Sequence, residues 1–127
     1  MKRLEIGMLF FMSLILAVPT ARAEGRLTTV QGYVIDSACT FVKELEKPVS
    51  RECALACAKA GSPLVILGDD GVIYWPISAE VPAAGQNERL MPFAGQKVTA
   101  SGRVYQKGGS HAIVINKIER SRQKARM

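Results

Sequence analysis

The sequence lacks the short motifs that mark the commonest thiol and metal sites. It has three cysteines and one histidine in 127 residues, and no two cysteines have the two-residue spacing of a zinc ribbon, a thioredoxin motif or a haem attachment motif. It also has no phosphate-binding loop, serine triad, paired carboxylates or internal repeat. No residue pattern therefore supports an enzyme, and an enzymatic activity stays open without evidence for it.

The sequence also lacks a hydrophobic run long enough to span a membrane. Its longest run, Met8–Val18, has eleven residues, whereas a spanning helix needs about 20. The run follows Lys2 and Arg3 and precedes Ala21-Arg22-Ala23, which is the layout of a secretory signal peptide with a small-x-small cleavage site. We therefore expect residues 1–23 to be a signal peptide, and the protein to be periplasmic or secreted, with no transmembrane segment after cleavage.

Basic residues outnumber acidic ones, but the excess of positive charge is concentrated at the C-terminal end of the sequence. The chain has 17 Lys and Arg against 11 Asp and Glu, and residues 117–127 contain five of the basic residues and one acid. The rest of the mature chain is near neutral, which argues against nucleic acid as a partner. We expect one domain over residues 24–118 and a basic C-terminal tail over residues 119–127.

The remaining pattern is that of a small β protein. The predicted strands are Leu27–Ile35, a hairpin of Leu64–Leu67 with Val72–Trp75, and a hairpin of Lys97–Gln106 with His111–Ile118, with a short helix in 86–94. Gly32 inside the first strand indicates a bulge or a barrel corner. This order predicts a mainly β fold, a five-stranded OB-like partly open barrel. A small open β-sandwich is the alternative.

All the cysteines lie in an insertion after the first strand. Ser50 is a candidate N-cap, and Arg51–Lys59 is rich in strong helix formers. Gly61 and Pro63 end this helix. The sequence therefore predicts a short helix that carries Cys53 and Cys57, after a loop with one helical turn that carries Cys39.

The cysteine pattern resembles that of a known group of proteins. Asp36-Ser37-x-Cys39 with Cys53-x-x-x-Cys57, together with the closing hairpin, is similar to small exported bacterial OB-fold proteins of unassigned function. The resemblance covers nearly all of the mature chain. It implies the barrel and the export, and it supplies neither a ligand nor a reaction.

The spacing of the cysteines allows a shared metal site. Cys53 and Cys57 are four residues apart, so they lie on one face of a helix, about 6 Å apart along its axis. Cys39 can fold over the same face. Three thiolates with one further donor suit zinc, and three alone suit Cu(I). The additional donor would be His111 or Asp36.

Two other interpretations stay open. A disulfide from Cys39 to Cys53 or Cys57 would staple an interaction module, and its ligand face would be Tyr74 and Trp75. The partner would be a protein of the cell envelope or an oligomeric ligand. Thiol redox chemistry is the other interpretation, because a cysteine in the first turn of a helix is stabilised as a thiolate.

Overall fold

Strand β1 organises the fold because it pairs with a neighbour along each half of its length. The computed structural model describes residues 25–122. Its strands are β1 Arg26–Asp36, β2 Leu64–Gly68, β3 Ile73–Pro76, β4 Lys97–Lys107 and β5 Ser110–Arg120, and its helices are α1 Ser37–Val42, α2 Arg51–Lys59 and α3 Asn87–Leu90, the last followed by a 3₁₀ turn at Met91–Phe93. The predicted signal peptide and residues 123–127 of the predicted tail lie outside the described residues, so both stay predictions.

The five strands form one closed barrel in the order β1-β2-β3-β5-β4. Every pair is antiparallel except β3 with β5, where Tyr74 lies opposite His111. This mixed order is OB-like and confirms the predicted mainly β fold, and it replaces the sandwich alternative. The barrel is closed where the sequence predicted a partly open one, because β4 and β5 are each eleven residues long and reach both of their neighbours.

The core lies inside this barrel. Alternate residues of each strand point inward, as the pleat requires. The buried core side chains come from every strand, from α2 and from α3; they are Val30, Val34, Ala58, Leu64, Ile66, Tyr74, Leu90, Val98, Ala100, Ile113 and Ile115. Leu90 of α3 is fully buried, so the short helix before β4 covers one end of the barrel.

Gly32 marks a barrel corner. Gly32 and Tyr33 are the residues of β1 that pair with both β2 and β4. A side chain at Gly32 would bring its Cβ to 2.1 Å from the carbonyl oxygen of Leu67, so only glycine allows this approach. The register through Gly32 is continuous, and the irregularity of the sheet lies instead between Ser101 and Gly102 in β4.

The insertion that contains the cysteines leaves and re-enters the barrel at one place. Asp36 at the end of β1 pairs with Leu64 at the start of β2, and the Ser37 N–H donates to the Pro63 carbonyl at 2.9 Å. The intervening chain forms α1, where one helical turn was predicted, and α2, whose bounds are those predicted. Within residues 25–122, no helix is long and apolar enough to cross a membrane.

Candidate metal centre

Helix α1 begins at Asp36 and places Cys39 in its first turn. The Asp36 carboxylate caps this helix by accepting the Cys39 backbone N–H at 3.0 Å. The hydroxyl of Thr40 donates to the Asp36 carbonyl. Because Asp36 is also the last residue of β1, the barrel itself fixes the position of Cys39.

Helix α2 places Cys53 in the same way. The Ser50 hydroxyl accepts the Cys53 N–H at 3.0 Å, which confirms the predicted N-cap. At the other end, Gly61 has a positive φ of 100°, and the Ser62 N–H bonds the Cys57 carbonyl at 3.0 Å. This is a Schellman ending, so α2 stops at Lys59, two residues after Cys57.

Hydrogen bonds with the segment before β4 hold both ends of α2. Arg51 donates to the carbonyls of Pro92 and Ala94, each at 3.1 Å. Asn87 donates to the carbonyls of Ala58 and Ser62, at 3.2 and 2.8 Å. Sequence patterns did not single out Arg51 or Asn87 for this role, because their partners are more than twenty residues away.

Asn87 also accepts the Leu64 N–H at 2.8 Å. It therefore joins the end of α2, the start of β2 and the start of α3. On the inner face of α2, Ala54 and Ala58 are buried, and their small side chains let the helix lie close to the barrel. Cys53 and Cys57 occupy the adjoining face.

These elements bring the three cysteines together. The sulfur atoms of Cys39, Cys53 and Cys57 all lie within 4.8 Å of one another. All three cysteines are among the described residues, each is partly buried, and none is disulfide-bonded there. The arrangement is a group of three soft donors that could hold a metal ion, with access from solvent.

Asp36 lies beside this group and is almost fully buried, at 1% exposure. Its carboxylate accepts the Ser62 hydroxyl at 3.3 Å as well as the Cys39 N–H. Burial by itself would raise the pKa of Asp36, but hydrogen bonds from Cys39, Ser62 and Cys57 outweigh it and hold this pKa below its usual value. Asp36 is therefore a buried anion that directly contacts the cysteine cluster.

The contacts with Asp36 also raise the pKa values of two of the thiols. The hydrogen bond of the Cys39 thiol to Asp36, followed by burial and the Asp36 charge, raises the pKa of Cys39 to about 12. Burial, then the charge of Asp36, raises the pKa of Cys57. In the metal-free protein at neutral pH, both thiols are therefore protonated, which is the opposite of what a redox nucleophile needs.

An apolar wall borders one side of the cluster. The residues that line this narrow crevice with Cys39 and Cys53 include Ile35, Leu45, Pro48, Val49 and Ala54. The wall consists largely of the loop between α1 and α2. A hydrophobic surround limits access of water to thiolate ligands and tunes the site.

His111 lies away from the three-cysteine cluster. It is at the start of β5, its ring meets the Tyr74 ring edge-on with centroids 5.9 Å apart, and it lines a cleft with Arg26, Asp70 and Tyr105. Arg26 begins β1, whereas the cysteines follow the end of that strand. Neither His111 nor Asp36 is a member of the three-cysteine group, but Asp36 contacts the group through hydrogen bonds, whereas His111 lines the cleft with Tyr74.

Tyr74 and Trp75 do not form one face. Tyr74 is buried inside the barrel, and its hydroxyl donates to Asp70 at 2.7 Å. Trp75 points outward and stacks on Phe41 of α1, with ring centroids 6.2 Å apart. Neighbouring residues of a strand point to opposite sides, so Tyr74 lines the cleft that contains His111, whereas Trp75 lies on the outer face beside Phe41.

Comparison with family models, with curated proteins and with solved structures gave no match. The resemblance to small exported bacterial proteins is therefore supported only as far as the five-stranded barrel and its three-cysteine cluster.

Proposed function

We propose that this chain is an exported binding module that holds one thiophilic metal ion, Zn²⁺ or Cu⁺, through Cys39, Cys53 and Cys57. The observation that carries the proposal is the approach of three sulfur atoms to within 4.8 Å of one another. Zn–S bonds of about 2.3 Å in a tetrahedral site separate the sulfurs by roughly 3.8 Å. The metal-free cluster therefore needs side-chain movements of about 1 Å, without any refolding of the barrel.

The elements that carry the three sulfur donors also support a metal site. Two come from one helix and the third from another, and the barrel, Arg51 and Asn87 fix both helices. A preorganised donor set binds metal without a large ordering cost. A cation would also neutralise thiolates that otherwise face the buried carboxylate of Asp36, and it would replace the thiol protons.

Asp36 supplies the remaining oxygen in this proposal. Its carboxylate already contacts Cys39 and Cys57. With Asp36 as a ligand, the set is three sulfurs and one oxygen, which suits Zn²⁺. With Asp36 only hydrogen-bonded nearby, three sulfurs suit Cu⁺. The metal found in the native protein distinguishes these two arrangements.

The predicted signal peptide places the module in the periplasm or outside the cell, where disulfides form. The competing function is therefore a barrel stapled by a disulfide from Cys39 to Cys53 or Cys57, which the same sulfur proximity also fits. The raised pKa values of Cys39 and Cys57 argue against a redox role for these two thiols.

One experiment separates the two functions. The full chain is expressed with its own N-terminus in a Gram-negative host and purified without chelator or reductant from the exported fraction. Metal content is measured by mass spectrometry, and free thiols are counted after denaturation in the presence of chelator. About one metal per chain with three free thiols supports the proposal. One free thiol without metal contradicts it and establishes the disulfide.

A further inference from the structure

An exposed aromatic stack lies on the outside of the barrel, next to α1. Phe41 and Trp75 stack with an interplanar angle of 19°. Phe41 is 59% exposed although it is aromatic, and Trp75 is partly exposed. Exposed aromatic surface of this kind is characteristic of interaction sites, where Trp and Phe are enriched.

Two open grooves flank this stack. The first, of about 690 Å³, is lined by Phe41 and by apolar side chains on the outer face of the sheet, which are Tyr33, Leu67 and Ile73. The second, of about 540 Å³, is lined by Trp75, Pro63, Pro76 and Ala84. We call the two grooves and the stack between them the Phe41–Trp75 surface. Each groove is large enough for several side chains of a peptide.

Every charged residue that lines the two grooves is acidic. These residues are Glu44, Glu46 and Asp69 in the first groove and Glu88 in the second. Asp69 is paired with Lys97 at 2.9 Å, whereas the described residues place no cation within 4.0 Å of Glu44 or Glu46. Lys43 and Lys47 are exposed neighbours of Glu44 and Glu46 in the sequence but line neither groove, so the negative charge is confined to the lining of the grooves.

We propose that the Phe41–Trp75 surface binds an extended cationic segment of a partner protein. Its apolar side chains would occupy the two grooves across the stack, and its Lys or Arg side chains would pair with Glu44 and Glu46. Negative lining excludes anionic partners by repulsion, and it accelerates association with cations. One groove on each side of the aromatic stack fits an extended chain, because successive side chains of such a chain point to opposite sides.

The surface adjoins the cysteine cluster through Leu45, which lines both the first groove and the crevice that contains Cys39 and Cys53. A bound partner would therefore lie beside the cluster. The proposal goes beyond metal binding and does not depend on it, since every residue named for the surface lies outside the three-cysteine group.

Trp75 provides the measurement, because it is the single tryptophan of the chain. The metal-free protein is titrated with the nine-residue peptide Leu-Phe-Lys-Lys-Leu-Phe-Lys-Lys-Leu, whose paired apolar residues point to both sides of an extended chain, and Trp75 fluorescence is followed. One control peptide replaces each Lys by Glu, and another replaces each apolar residue by Ser. We expect the Lys peptide to bind at least tenfold more tightly than either control, and less tightly as salt is raised.

Matched variants locate the binding. Glu44→Gln with Glu46→Gln should weaken binding of the Lys peptide about tenfold, since the two substitutions remove two exposed ion pairs. Glu119→Gln removes an acid of β5 that lines neither groove, and it should leave the affinity unchanged. Phe41→Ala should weaken binding without unfolding the barrel, because Phe41 is exposed.

Three results would overturn the proposal. The first is equal affinity for the Lys and Glu peptides, or no change in fluorescence with either. The second is a dimer in sedimentation that Phe41→Ala dissociates, which would assign the surface to a second copy of the chain. The third is tighter peptide binding after removal of residues 123–127, which would assign it to the chain's own tail.

Discussion

Asp36 and Cys39 are joined by a hydrogen bond of 3.0 Å from the cysteine backbone to the carboxylate, and this contact links the barrel to the cysteine cluster. Asp36 ends β1 and caps α1, so one residue sets where the helix begins and where its cysteine points. The same carboxylate accepts the Ser62 hydroxyl from the far end of the insertion. The position of the cluster is thus set from both ends of the insertion by one buried side chain.

Replacing Cys57 by Ser should remove a metal ligand without unfolding the barrel. Loss of a hydrogen-bonding group next to a metal ligand costs about 10–100-fold in affinity, so loss of a ligand should cost at least about 100-fold. Competition with a chelator of known affinity measures the change. His111→Ala is the control, because His111 lies in the cleft with Tyr74, and its affinity should equal that of the unmodified chain. A large loss of metal affinity in His111→Ala would instead show that His111 is a metal ligand.

Two replacements of Asp36 separate its charge from its capping role. Asn is also a good N-cap, so Asp36→Asn should keep α1 and lower metal affinity about 10–100-fold. Asp36→Ala should in addition lose about 0.5–2 kcal/mol of stability, as a lost cap does. Urea unfolding of the metal-free proteins measures the second effect. If Asp36→Asn bound metal as tightly as the unmodified chain, the carboxylate charge would not act on the metal.

Tyr74 should ionise at a high pH that depends on Asp70. Burial, then the hydrogen bond to Asp70 and its charge, raises the pKa of Tyr74 to about 12. Because the folded pKa exceeds the unfolded value of about 10, this stabilisation is complete below pH 10 and disappears as the pH rises through 12. Tyrosinate absorbance during an alkaline titration measures it. Asp70→Asn should lower this pKa, and an unchanged titration curve would contradict the contact.

Gly32→Ala should destabilise the barrel by about 1–3 kcal/mol, the usual cost of inserting atoms into a packed region. The new Cβ would lie 2.1 Å from the Leu67 carbonyl oxygen, so β1 and β2 would have to separate. Gly85→Ala is the matched control, since nothing lies within 4 Å of its Cβ position, and it should be neutral or gain up to about 1 kcal/mol. Thermal unfolding of both variants gives the comparison, and equal stabilities would contradict the close approach at the corner.

The local elements were predictable because their signals are local. Ser50, Gly61 and Pro63 delimit α2 by capping and by conformational preference, and the structure gives the same bounds. Alternating side chains in Lys97–Gln106 predicted β4, which the structure extends by one residue. The spacing of Cys53 and Cys57 on one helix face follows from helical periodicity alone.

Other features were not predictable because they depend on partners distant in the chain. The closure of the barrel rests on the pairing of β1 with β4. The fixing of α2 by Arg51 and Asn87 rests on carbonyl groups of other elements. The separation of Tyr74 from Trp75 follows from strand parity, but the contact of Trp75 with Phe41 does not.

The sequence by itself determined which residues are available for chemistry: three cysteines, the acidic residue Asp36 near the first of them, and a helix that aims two thiols the same way. Those properties depend on residue type and on spacings of three or four residues, which local backbone geometry converts directly into direction. Only the tertiary structure decided that Cys39 reaches the other two, that Asp36 rather than His111 contacts the cluster, and that Phe41 covers Trp75. Each of these depends on how the barrel closes and brings together the ends of a long insertion, because contacts between distant residues depend on the packing of the whole chain.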